Sequence, residues 1–132
     1  MTELIVIHGI SLPPGEYGGQ EIEALFTNTL DADAHPYFAE ISGLEVSAHF
    51  LVRRAGEVVQ FVSTDARAWH AGVSCWQGRE QCNDFSIGIE LEGCDDEAYS
   101  DAQYDALNQL LAALTKQYPH IRHDAIVGHS DI

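Results

Sequence analysis

The run Ser86-Ile87-Gly88-Ile89-Glu90-Leu91-Glu92-Gly93 decides how this chain is read. Ile87, Ile89 and Leu91 alternate with Gly88, Glu90 and Glu92. Period two is the mark of a half-buried β-strand, with one apolar face on a core. The other face carries a glycine, which lets another group approach the backbone closely, and then a carboxylate. Glu90 has two readings from this pattern. It faces solvent, or it is a general base in a cleft.

Working outward, the neighbouring segments supply partners for that strand. Leu4-Ile5-Val6-Ile7 is a continuous apolar run rich in β-branched residues and reads as a buried, central strand ending in His8-Gly9. Ala125-Ile126-Val127-Gly128 is a second such run, ending in His129. Val46–Val52 and Glu57–Val62 read as two strands joined by a tight hairpin at Arg54-Ala55-Gly56-Glu57. His49, within the first, is read as a packed, hydrogen-bonded core histidine. Ser100 and Gln103 have capping-box spacing, and Tyr104, Leu107, Leu110, Leu111 and Leu114 form an apolar stripe. A helix is expected over Ser100–Tyr118, stopped by Pro119. Ile22, Leu25 and Phe26 predict a short helix near Gln20–Thr27.

Ser11–Gly19 is a Pro- and Gly-rich loop, Thr29–Pro36 a polar turn region, and Cys94-Asp95-Asp96-Glu97 an acidic turn. Tyr37-Phe38 either caps the core or lines a pocket. Ser63–Asp84 is a long connection without a clear period, and loops of that length are often functional. It holds Trp69, His70, Trp76, Arg79 and Asn83. Aromatic, imidazole and guanidinium groups together suit a ligand wall, and a solvated loop anchored by tryptophan is the alternative.

Composition narrows the function classes. At 132 residues the chain is one domain with room for a core. Its net charge of −15, from 6 Lys+Arg against 21 Asp+Glu, repels phosphate backbones and anionic membranes. Nucleic-acid and membrane partners are therefore not expected, and a monomer is. Met1 leads into the first strand without a basic segment, so no signal peptide is read. No apolar run is long enough to span a bilayer. Three cysteines without a C-x-x-C pair argue against a disulfide framework and for a cytoplasmic protein with reduced thiols.

Two strand-end imidazoles and one strand carboxylate remain. Catalytic zinc takes ligands from His, Asp, Glu or Cys and leaves one position for water. A nearby carboxylate then serves as the base.

The runs V-I-H-G-I-S-L-P-P-G, S-A-H-F-L-V-R-R, A-W-H-A-G, C-N-D-F-S-I-G-I-E-L-E-G and V-G-H-S-D-I follow one another along the chain. Together they resemble the AmpD branch of the N-acetylmuramoyl-L-alanine amidases, amidase type 2. The resemblance implies an α/β fold with a mixed central β-sheet flanked by α-helices. It implies Zn2+-dependent hydrolysis of the amide between the lactyl group of (anhydro-)N-acetylmuramic acid and L-alanine of muropeptides, in peptidoglycan recycling. By residue match it implies His8 and His129 as metal ligands and Glu90 as the general base. It implies Trp69, His70, Arg79 and Asn83 as substrate contacts.

Members of this family continue past G-H-S-D-I with a segment like A-P-G-R-K-x-D-P-G. That segment supplies a third ligand, an Asp, and a Lys for the oxyanion. Asp131 precedes that position and is not its equivalent. The expectation is therefore a single amidase domain shortened at its C-terminus. Two further readings follow from it: a catalytically impaired module that binds muropeptide without cleaving it, and a shortened chain without activity.

Overall fold

The computed structural model describes residues 2–41, 44–94 and 97–132. Asp95 and Asp96 of the acidic turn lie outside the described residues.

The strands are β1 (Leu4–Ile10), β2 (Phe50–Val52), β3 (Val58–Gln60), β4 (Cys75–Trp76), β5 (Arg79–Glu80), β6 (Ser86–Glu92) and β7 (Ile126–Gly128). The helices are α1 (Glu21–Phe26), α2 (Pro36–Ile41) and α3 (Asp101–Gln117). Among the described residues a five-stranded sheet runs β3-β2-β6-β1-β7. Within this sheet β1 pairs in parallel with β6 and β7, β2 pairs in parallel with β6, and the β2–β3 hairpin is antiparallel. The fold is thus α/β, with a mixed central sheet flanked by helices. No helix among the described residues is long and apolar enough to cross a membrane.

The sheet separates two cores. Ile5, Phe50, Val52, Ile87, Ile89 and Leu91 pack with Leu107, Leu114 and Ile121. Leu51, pointing the other way, packs with Ile22, Leu25, Phe26 and Phe38. The two layers account for the one-sidedness of the helices that flank them.

β6 departs from the half-buried reading, because all seven of its residues are buried. It lies between β1 and β2, so no flank is open to water. Its charged residues are buried for separate reasons. Glu92 is 2% exposed and accepts from Gly18 N, Arg54 N and the Arg53 guanidinium. It thereby ties the Ser11–Gly19 loop to the sheet. Glu90 belongs to the site.

Helix α3 matches the capping signal. The Ser100 side chain accepts from Gln103 N, and Gln103 Oε1 accepts from Ser100 N. Gln103 also donates to the carbonyls of Val52 and Glu92, so one buried amide joins the helix to the ends of two strands. Tyr104 is a correction to the stripe: it is half exposed, and the helix buries Gln103 instead.

Other boundaries shift for local reasons. The expected Val46–Val52 strand is regular only over Phe50–Val52, since Ser47 exchanges hydrogen bonds with Trp69 rather than joining the ladder. Glu57–Val62 shortens to Val58–Gln60, and a 3-10 turn over His123–Ala125 precedes β7. Helix α2 falls where only a polar turn and an unplaced Tyr37-Phe38 pair were read. Pro36 opens it, His35 Nδ1 accepts from Tyr37 N, and Phe38 is buried in the second core. The Ser63–Asp84 connection contains the β4–β5 hairpin, turned by Gln77 and Gly78, both at positive φ.

Candidate active site

Parallel pairing builds the site. β1 and β6 are in register with His8 opposite Glu90, and β1 and β7 with Ile7 opposite Gly128. His129 therefore emerges beside His8, at the carboxyl ends of the central strands, where open α/β sheets place their ligands. Glu90 is also the register partner of Leu51, so its side chain lies on the α1–α2 side of the sheet.

Three imidazoles form a chain. His8 Nδ1 lies 2.9 Å from His129 Nδ1, and His8 Nε2 lies 3.0 Å from His70 Nδ1. His70 Nε2 lies 3.1 Å from Ser86 Oγ. Burial, reinforced by His129, lowers His8 to a pKa of about 4. Burial, then the neighbouring His8, His49 and His129, lowers His70 to about 3. Both rings are neutral at pH 7 and offer lone pairs rather than charge.

Glu90 is 7% exposed, and its Oε2 has no hydrogen-bond partner among the described residues. Burial raises its pKa to about 8. An unsatisfied buried carboxyl is costly to a fold and is a mark of a functional group. His8, His70, Glu90, His129 and Tyr99 line one open cleft of about 800 Å³. That volume accommodates a ligand of several rings or residues.

Of the other residues singled out by sequence, Trp69 is 55% exposed and lines an adjoining depression with Glu45, Val73, His70 and His129. One face of its ring carries the Arg67 guanidinium, 4.1 Å from the centroid. Asn83 is buried, and its Oδ1 accepts from His70 N and Ala71 N, so it holds the loop that carries His70. Arg79 is not brought to the cleft. It pairs with Glu3 and stacks 3.9 Å over Phe85. His49 is a packed core histidine that accepts from Gly88 N and donates Nε2–H to Ala66 O. Sequence reasoning passed over Ser86 and Tyr99. Ser86 shares the period-two face of Gly88 and Glu90, and that was its available signal. Tyr99 sits against Gly9 and Gly93, where any Cβ would collide with its ring or hydroxyl.

The donor set suits zinc in kind, as the Nδ1 atoms of two imidazoles, His8 and His129, face each other. Among the described residues no group of three His, Cys, Asp or Glu converges as a metal cage. His70 does not complete one, because it meets the opposite nitrogen of His8. Asp131 is turned away, its Oδ2 accepting from Gly128 N.

A family profile described as N-acetylmuramoyl-L-alanine amidase matches residues 2–132. The chain belongs to this amidase family. It is therefore an amidase of the hydrolase class. The 1,6-anhydro-N-acetylmuramyl-L-alanine amidase AmpD of Enterobacter cloacae is 64% identical over 129 residues, covering 98% of this chain and 68% of that protein. A crystal structure of a selenomethionine AmpD derivative superposes with a TM-score of 0.97 at 61% identity, covering 99% of this chain and 73% of the other. AmpDh3 of Pseudomonas aeruginosa, solved in complex with anhydromuramic pentapeptide, gives a TM-score of 0.74 at 28% identity, covering 99% of this amidase and 51% of AmpDh3.

Proposed function

We propose that this amidase hydrolyses the amide between the lactyl group of 1,6-anhydro-N-acetylmuramic acid and L-alanine of cytoplasmic muropeptides, in peptidoglycan recycling. The observation that carries the reading is Glu90 Oε2, buried and without a partner among the described residues, in a cleft shared with His8 and His129. The AmpD relatives and the muropeptide-bound AmpDh3 structure support the substrate class.

In this reading His8 and His129, whose Nδ1 atoms face each other, would hold zinc. Zinc, when bound, supplies Lewis-acid polarisation and makes water more acidic. Glu90 takes the proton of the attacking water on Oε2 and returns it to the departing L-alanine amine. With a pKa of about 8 the carboxyl is mostly protonated at neutral pH in the metal-free chain. A positive charge in the cleft draws it back to the ionised form that a base requires. Trp69 offers an exposed indole face to the sugar or the first peptide residues. Asn83 acts indirectly, by fixing the backbone of His70. Arg79, engaged with Glu3 and Phe85, is set aside as a contact in this reading.

The test is direct. The chain is incubated with anhydromuramyl-peptide in added zinc and, separately, in chelator. Zinc-dependent release of a peptide with a free L-alanine amine is expected. No release at any metal concentration would sink the proposal.

A further inference from the structure

Ser86, Gly88 and Glu90 alternate along β6 and share its cleft-side face. The His70 ring lies over Gly88, with Nε2 at 3.1 Å from Ser86 Oγ and Nδ1 at 3.0 Å from His8 Nε2. Asn83 Oδ1 pins the backbone amide of His70 from the other side. His49, the next ring along, uses both its nitrogens elsewhere and does not compete. His70 is thus held in one place by three separate groups, its ring by His8 and Ser86 and its backbone by Asn83.

A neutral imidazole carries one N–H and one lone pair, so each ring in such a chain dictates the next. His8 has a lone pair on Nδ1 only when its proton sits on Nε2. That Nε2–H donates to His70 Nδ1. The His70 proton then sits on Nε2 and donates to Ser86 Oγ. Running the protons the other way leaves N–H on His8 Nδ1 and no lone pair facing His129.

We propose that His70 and Ser86 are positioning residues that hold His8 in its Nε2–H tautomer, so that His8 Nδ1 ligates a divalent cation together with His129. The proposal rests on the reading of His8 and His129 as ligands. It gives His70 a different task from substrate contact, and it gives Ser86 a task where none was assigned. Partners behind a metal-ligating histidine typically contribute about 10–100-fold to metal affinity.

The experiment uses the whole metal-free chain and two readouts besides turnover. Nitrogen-15 NMR of the histidine rings reports tautomers before metal is added. Competition against a chromophoric chelator then gives zinc affinity for wild type, His8→Ala, Ser86→Ala and Ser86→Thr. Nε2–H on His8 and His70 is expected. Ser86→Ala should bind zinc about 10–100-fold more weakly with its backbone spectrum intact, and Ser86→Thr, which keeps the hydroxyl, should recover affinity. Wild-type affinity in Ser86→Ala, or Nδ1–H on His8 in the wild type, would overturn the proposal. Equal affinity of wild type and His8→Ala would overturn the ligand reading itself, even with the tautomers as expected.

Discussion

The His70 imidazole occupies the volume that a side chain at position 88 would fill. A Cβ built on Gly88 overlaps ring atoms of His70, and that ring is fixed by His8 and Ser86. Glycine is required there by a close approach. Gly88→Ala should therefore displace the ring, destabilise the fold by about 1–3 kcal/mol and lower amidase activity. Urea denaturation and the muropeptide assay measure both. Unchanged stability and activity together would show that the ring relocates freely.

Glu90→Gln removes the proposed base and keeps its shape. Amidase turnover should fall about 10²–10⁴-fold, as for loss of a positioned general base, while zinc affinity changes little. Retained turnover would remove Glu90 from that role.

The same substitution has a pH signature in the metal-free chain. The folded pKa of Glu90, about 8, is above its ordinary 4.5. Its contribution to stability is full below 4.5 and is lost as pH rises through 8. Glu90→Gln should match wild type at pH 4 and exceed it at pH 9, by on the order of a few kcal/mol. Chemical denaturation at the two pH values decides it.

The histidines act in the opposite sense. His8 and His70 fall from 6.5 to about 4 and about 3 on folding. Stability is full above pH 6.5 and declines as pH drops toward 4, because the unfolded chain binds protons that the folded chain refuses. His70→Asn should flatten this acid limb. A pH series of denaturation midpoints with an equally steep limb in the variant would contradict the burial of His70 as a neutral ring.

Gln103 is fully buried and bonds to Ser100 N, Arg54, Val52 O and Glu92 O. Gln103→Ala breaks half of the cap and takes a buried donor away from two strand carbonyls. A loss of about 3 kcal/mol is expected, combining cap and buried-acceptor costs, with turnover at low temperature preserved. A loss under about 0.5 kcal/mol would mean that water replaces the amide.

Trp69→Ala removes an exposed indole that closes no core. KM for muropeptide should rise several-fold with stability little changed. An unaltered KM would exclude the indole as a substrate surface.

Much of the sheet was legible because local pattern and tertiary environment agree. The alternation in Ser86–Glu92, the β-branched runs ending in His8 and His129, and the Ser100–Gln103 box all carry their own signals. Helix α2 and the β4–β5 hairpin were missed because their signals are weak. A histidine side chain accepts the first-turn amide of α2, and Gln77-Gly78 is a less marked turn than Asn-Gly. Arg79 looked like a ligand contact by composition, but its guanidinium reaches Glu3 and Phe85, which the sequence does not place near it.

By itself the sequence determined which strands end in a histidine and which strand carries Glu90, since alternation and caps are set by neighbours in the chain. Only the tertiary structure decided how those residues meet. The parallel register sets His8 beside Glu90 and His129, and a long loop folds back to lay His70 between His8 and Ser86. Those distances depend on packing between segments far apart in sequence, and that burial is what keeps His8 and His70 neutral and the Glu90 carboxyl protonated.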